Sequence, residues 1–290
     1  MKHCWTLTAY FLLLLILSSS CMKKETEYYP KSGKTLVIIS DNDPASDMIV
    51  GILGAVRNAN PGINVQFYPS KAFDVIQGSY LLYTAIADYS GGTYIAGIIE
   101  PGASSQRIIY QVGNETIIAP DNTLSTRVLD YYPAIHCYFI QNPAVLGGAR
   151  ADTLSIQEFY KRAILSMILG IVPSSFGPIC TNPLKFPVQD PVISGDTIKG
   201  EVFFTDNFGN CISNIPQNLV KNIPTGTVMD LTSDTTHLSI VMGLTYSSVP
   251  VGSNVCFVNS SLRLELAINY GNFSGKYNIS AGSKLALRMQ

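Results

Sequence analysis

One change of rhythm constrains the fold more than anything else in the chain. Up to about Pro183, β-branched apolar runs alternate with stretches of helical spacing. After Pro187 only short strand-like runs remain, separated by Gly, Pro, Asn and Ser. Leu36 to Ile39 is a buried-strand run ending in the polar pair Ser40-Asp41, and Asp47 to Asn58 follows with Ile49, Ile52, Leu53 and Val56 at helical spacing. Pro61-Gly62 ends that helix. Ile63 to Tyr68 reads as a strand, Phe73 to Tyr89 as a helix, and Thr93 to Ile99 as a strand that stops at Glu100-Pro101-Gly102. Alternation of this kind predicts an α/β fold with a mostly parallel sheet and helices on both faces.

The second half predicts a small all-β domain, barrel-like or a sandwich. Its strands are expected over Gly195 to Thr205, Thr227 to Leu231, Leu238 to Leu244, Asn254 to Val258, Leu262 to Ile268 and Lys284 to Arg288. The expected division is an α/β domain over 35–187 and a β domain over 188–290. Ligands of an open parallel sheet bind beyond the carboxyl ends of its strands. Asp41 and Glu100 are both expected at such ends, where a carboxylate serves either as a simple cap or as a ligand group.

The N-terminus speaks to compartment. Lys2 and His3 precede an apolar run from Ala9 to Leu17, shorter than the roughly 20 residues of a membrane-spanning helix. A basic start, a short apolar core and then Ser18-Ser19-Ser20 read as a secretory signal peptide over 1–21. Small residues leading into Cys21 resemble the bacterial lipobox, although Ser18 stands where Leu is common. Cys21 would then carry lipid and hold the chain in the bacterial cell envelope; the plain alternative is a signal peptide that ends near Ser20. The polar stretch 22–34 reads as a tether. Only 13% of residues are charged and the net charge is -1, so no basic stripe offers itself to nucleic acid. Cys137, Cys180, Cys211 and Cys256 are widely spaced with no CxxC, so no metal site is expected. They read as buried thiols, with one disulfide open to them in an oxidising compartment.

Several segments, in order, resemble one family. Ser40-Asp41 followed by Asp47-Met48-Ile49-Val50-Gly51 resembles a TDFG…D-x-YVG opening, with the glycine of TDFG missing. Phe73-Asp74-Val75 matches an aromatic-Asp-Val helix start. Glu100-Pro101-Gly102 through Arg107 resembles DPGVGT…R, and Ala119-Pro120-Asp121-Asn122 is APDN unchanged. Asp206-Asn207-Phe208-Gly209-Asn210 with Ser213-Asn214-Ile215 resembles D-x-FGN…TNI, and Leu264 to Asn272 resembles LEIAxNxGN. The set is similar to the S-adenosylmethionine (SAM) hydroxide adenosyltransferase and fluorinase or chlorinase family.

The resemblance implies a homotrimer whose adenosyl site lies between the α/β domain of one subunit and the β domain of the next. SAM is the implied substrate, with no further cofactor. Asp41 would hold the ribose hydroxyls and Phe73 would cover the ribose or sulfonium. Phe208 would stack on adenine, Asn210 would hydrogen-bond it, and the backbone of Ile268 and Tyr270 would read its edge. Asp206 and Ser260 would hold the methionine amino and carboxyl groups. The implied reaction is adenosyl transfer to water, giving adenosine and methionine. Glu100 stands where the family has Asp, Arg107 keeps its place, and Ser155 falls where a TFHGRD segment would supply His. Serine is no base near neutral pH without a partner, so the reaction is expected to be slow. The alternative is a surface lipoprotein that has lost catalysis and binds a nucleoside or other small ligand, which suits an exported protein remote from cytoplasmic SAM. His136, expected in a strand over Ala134 to Ile140, and His237, expected on the surface, do not replace the missing His.

Overall fold

The computed structural model describes residues 34–89, 91–100 and 106–289. The signal-peptide reading, Cys21, most of the tether, and Pro101 and Gly102 lie outside them.

The first half is a seven-stranded sheet. Its elements run β1 (Thr35–Ser40), α1 (Asp47–Ala59), β2 (Asn64–Pro69), α2 (Val75–Asp88), β3 (Tyr94–Ile98), β4 (Arg107–Val112), β5 (Glu115–Pro120), α3 (Thr126–Tyr131), β6 (Cys137–Phe139), α4 (Ile156–Ile168) and β7 (Ile179–Cys180). The strand order is β2-β1-β3-β5-β4-β6-β7, with β2, β1, β3 and β5 mutually parallel. The expected alternation breaks at one point: β4 and β5 form an antiparallel hairpin, Val112 facing Glu115. Gly113, at φ 59°, provides the positive φ that so tight a turn demands. The reversal matters for the site. It returns the first residue of β4, Arg107, to the edge where β3 ends.

Helices cover both faces. Ile49, Ile52 and Val56 of α1 and Phe159, Tyr160 and Ile164 of α4 pack with Leu36 and Ile38 of β1 on one face. Leu82 and Ile86 of α2 and Val128 of α3 pack with Val37 and Ile39 on the other. Period-two alternation in a strand and 3.6-residue spacing in a helix leave each layer no other way to bury these groups. The starts of α1, α2 and α4 each have a local chemical cause. Ser46 accepts from the Ile49 amide at 3.4 Å, Asp74 from Gln77 at 2.9 Å, and Ser155 from Glu158 at 3.2 Å. Such caps satisfy amides that no earlier carbonyl can reach. The second helix therefore begins at Val75, two residues after the expected Phe73, because Asp74 is its cap.

The second half comprises β8 (Val192–Ser194), β9 (Thr197–Thr205), β10 (Cys211–Pro216), α5 (Gln217–Val220), β11 (Val228–Ser233), β12 (Thr236–Met242), β13 (Asn254–Val258), β14 (Arg263–Ile268), α6 (Phe273–Tyr277) and β15 (Lys284–Met289). Strand order β10-β14-β13-β12-β11-β15-β9, with β9 pairing back to β10, closes a seven-stranded barrel that β8 extends. Closure leaves no open edge in the ring. Val202, Ile215, Leu231, Ile240, Leu264 and Leu287 fill its interior. The barrel is the outcome the sequence left open against a sandwich. The strand β10 is absent from the expected set, since its Asn and Ser residues hide the alternation.

A half-buried ring contact and a buried ion pair fasten the two halves. Tyr80 of α2 stacks on Phe204 of β9 at 5.1 Å between ring centres. Arg127 of α3 approaches Glu201 of β9 to 3.1 Å, each side chain 1% exposed. Burial pulls the Arg127 guanidinium below its ordinary range, and Glu201 opposes that shift.

Candidate functional site: two clusters

The first cluster lies at the carboxyl edge of the sheet. Asp41, just past β1, accepts a hydrogen bond from the Phe73 amide at 2.9 Å. Phe73 sits at φ 62° with 68% of its surface exposed. A non-glycine residue in the left-handed region, presenting an aromatic ring to water, marks stored strain of the kind found at ligand sites.

Beside it, Glu100 is gripped from two directions. Arg107 donates through Nε to Oε1 at 2.8 Å and through Nη2 to Oε2 at 2.6 Å. The Tyr160 hydroxyl donates to Oε1 at 2.6 Å. The Glu100 side chain is 3% exposed and that of Arg107 10%. The guanidinium lies over the Phe159 ring at 4.7 Å. Burial draws Arg107 down, but the two hydrogen bonds and the charge of Glu100 outweigh it and hold the guanidinium above its ordinary range. Burial, reinforced by the negative Glu100, raises the Tyr160 hydroxyl far above its ordinary value. The phenol is therefore a fixed donor. Asn122 steadies the approach to Glu100 by donating to the Ile99 carbonyl at 2.8 Å.

Ser155 is held apart from this group. Its hydroxyl caps α4, and the structure gives it no hydrogen bond to Glu100 or Arg107. Tyr160, five residues on and one turn into the same helix, occupies the place beside Glu100 instead.

The second cluster lies on the barrel. Asp206 shapes the loop between β9 and β10. Its Oδ1 accepts from the amides of Phe208 at 2.9 Å and Asn210 at 2.8 Å, and its Oδ2 from the Asn210 side chain at 2.9 Å. Gly209 has φ 84°, and a Cβ there would collide with the Asn272 side chain, so no other residue fits the turn. The turn leaves Phe208 76% exposed while Asn210 is buried. From Asn210 a polar chain continues through the hydroxyl of the exposed Tyr246 at 3.4 Å to buried Glu265 at 2.6 Å and Asn259 at 3.0 Å. Desolvation and the neighbouring Glu265 push the Tyr246 hydroxyl well up.

Ser260 is exposed in the turn after β13. Ile268 is buried, and its carbonyl accepts from Gly271 at 3.0 Å. Tyr270 is 92% exposed at φ 56°. Among the described residues, no hydrogen bond, ion pair or ring contact joins this cluster to the first. Asp41 with Phe73, and Glu100 with Arg107, are brought together on the sheet; Asp206, Phe208 and Asn210 are brought together on the barrel, with Tyr270 and Ser260 on nearby turns.

The same layout occurs in known proteins. The model of the SAM hydroxide adenosyltransferase N-terminal domain matches residues 36–177, and that of the C-terminal domain matches residues 200–286. The chain belongs to the SAM hydroxide adenosyltransferase family.

This member is 23% identical over 253 residues to an (R)-S-adenosyl-L-methionine hydrolase of Thermus thermophilus, covering 84% of this chain and 94% of that protein. Its fold is similar to an uncharacterised conserved protein of Thermotoga maritima, with TM-score 0.76 and 20% identity over 87% of this chain and 99% of that one. It is also similar to a conserved hypothetical protein of Thermus thermophilus, with TM-score 0.68 and 20% identity over 89% of this chain and 100% of that one.

Within this adenosyltransferase-family chain, sequence reading missed Tyr160, Asn122, Tyr246 and Glu265 as parts of the clusters. One signal for Tyr160 was available. A tyrosine on the apolar stripe of a helix needs a hydrogen-bond partner once buried, and Glu100 was the carboxylate already expected at the sheet edge.

Proposed function

We propose that the chain transfers the adenosyl group of SAM to water, releasing adenosine and methionine. The observation that carries the reading is the buried Glu100–Arg107 pair beside Asp41 and the exposed Phe73. The family match and the SAM hydrolase relative support an adenosyl ligand. Water attacks the ribose carbon bearing the sulfonium, the carbon–sulfur bond breaks, and its electron pair leaves with sulfur as a neutral thioether. The leaving group needs no acid. The attacking water must lose one proton, which Glu100 takes directly and passes to solvent.

In this reading Asp41 accepts from the ribose diol, since one carboxylate takes two such bonds, and Phe73 faces the sulfonium with its ring. Phe208 stacks on adenine, while Asp206, Asn210, Ser260 and the backbone at Ile268 and Tyr270 complete the pocket. The two clusters serve one ligand if the barrel of a neighbouring copy supplies the second, so a homotrimer is part of the proposal. The exposure of Phe208, Leu244, Val251 and Tyr270 supports a covering neighbour. The proposal also keeps the envelope location through lipidated Cys21 and the absence of a metal, further cofactor or nucleic-acid partner.

A second reading, ligand binding without catalysis, is favoured by one observation: both Glu100 oxygens already accept hydrogen bonds. Incubation of the full chain with saturating SAM decides between them. Adenosine appearing on chromatography, and lost in Glu100→Gln, supports hydrolysis. A thermal shift with SAM or adenosine but no turnover supports the binder.

A further inference from the structure

Cys137 and Cys180 are register partners across the antiparallel pair β6 and β7. The Phe139 amide donates to the Pro178 carbonyl at 2.9 Å and that of Gln141 to Phe176 at 3.0 Å, so the pairing continues past the short strands and the register is fixed. Directly opposite residues of an antiparallel pair have Cα atoms about 4.5–5.5 Å apart and project their side chains to one face. A disulfide spans Cα separations of about 4.4–6.8 Å.

The other two described cysteines have no such relation. Cys211 and Cys256 both face Leu266, from opposite sides of β14. They therefore stand two strand spacings apart, roughly 9.5 Å, beyond a disulfide's reach. They are also in the barrel, whereas Cys137 and Cys180 are in the open sheet.

We propose that Cys137 and Cys180 are a disulfide-forming pair that staples the two-residue edge strand β7 to the sheet. Both line a cavity of about 350 Å³, with Tyr132, Pro133, Asn182 and Lys185 among its walls, a volume of the order a small organic disulfide needs. The oxidant is an organic disulfide. The thiolate of one cysteine attacks a sulfur of that disulfide and expels one thiolate, leaving a mixed disulfide. The second cysteine's thiolate then attacks the protein-bound sulfur and expels the other half. Two cysteine thiols lose two protons and two electrons, and the reagent gains them as two free thiols. Burial pushes the Cys137 thiol up to about 12 and raises Cys180 as well, so the exchange is slow at neutral pH. The bond ties the chain that leaves for the barrel to the strand before α4, closing a long loop that holds this helix. The inference is independent of the adenosyl reading, and the test below reads no catalytic activity.

The full chain is equilibrated at neutral pH with a mixture of oxidised and reduced glutathione, then alkylated under denaturing conditions, digested and mapped by mass spectrometry. The expected product is one cross-linked peptide joining Cys137 to Cys180, two hydrogens lighter than the dithiol form. It persists in Cys211→Ser and is absent from Cys180→Ser. Adding reductant should lower the thermal midpoint of the oxidised protein by roughly 5 to 15 °C. Full alkylation of Cys137 and Cys180 after equilibration overturns the proposal, and so does a bond from either one to any other cysteine. The mapping on the unaltered chain decides the matter even if Cys180→Ser fails to fold.

Discussion

Glu100 concentrates the chemistry at the residue scale. Two guanidinium nitrogens and one phenol donate to a carboxylate that is 3% exposed, and every donor occupies a lone pair that an incoming proton would need. Tyr160→Phe removes the donor that Arg107 cannot replace. If Glu100 accepts the water proton, adenosine release should rise a few-fold, because a lone pair of Oε1 is freed to take it. Stability should fall by about 1.5–3 kcal/mol, as expected for a hydrogen bond to a charged group. Steady-state rates and urea melts on the same preparation check both. Phe208 offers the opposite test. Its ring is 76% exposed, so Phe208→Ala should leave unfolding within about 0.5 kcal/mol of the parent. Loss of a stacking face should weaken an adenosyl ligand by about 1–3 kcal/mol, read as a titration midpoint. An unchanged midpoint would remove Phe208 from the site.

At the scale of elements, turns and caps decide where the chemistry sits. Arg107 meets Glu100 because β4 runs back against β5, and a parallel crossover would have carried it to the far edge of the sheet. Ser155 shows a cap competing with a catalytic role. Its hydroxyl serves the Glu158 amide at the start of α4. Ser155→Ala should therefore cost about 1 kcal/mol of stability with KM unchanged, and Ser155→Asp, also a cap residue, should restore the loss. A change in turnover with stability intact would instead put Ser155 in the reaction. Gly209 holds the Phe208 turn at φ 84° against Asn272. Gly209→Ala should abolish ligand binding along with that turn, even where the barrel still melts cooperatively.

For the whole molecule, assembly and burial set the terms. Light scattering of the full chain in detergent should give a trimer mass at micromolar concentration, and a monomer would remove the composite site. Arg127→Met leaves Glu201, 1% exposed, with Lys284 as its remaining charged partner. The loss should be about 3 kcal/mol or more, because a buried charge loses the buried one of its two cationic partners. Alkaline pH gives an independent check on the reduced protein. Burial raises the thiols of Cys137, Cys211 and Cys256 to about 12, whereas unfolded thiols ionise near about 8.5. Above that value the unfolded state binds fewer protons than the folded one, so stability must fall as pH rises towards 12. Urea midpoints taken from about pH 8 to 11 should decline steadily, and less steeply in Cys256→Ala.

What the sequence determined by itself was local and ordered. The spacing of Ile49, Ile52 and Val56 fixed a helix, the run from Leu36 to Ile39 fixed a buried strand, and the change after Pro187 fixed a separate all-β half. These depend only on periodicity and turn chemistry, which neighbours in the chain decide. The family motifs likewise marked Asp41, Glu100, Arg107 and Phe208. Tertiary structure decided what these residues touch. Tyr160 reached Glu100 across 60 positions, Tyr246 met Glu265 on the outer face of the barrel, and Cys137 found Cys180 through strand register. Each such partner depends on how strands pair and helices pack, and no local pattern encodes a hydrogen bond between groups that only the folded layers bring together.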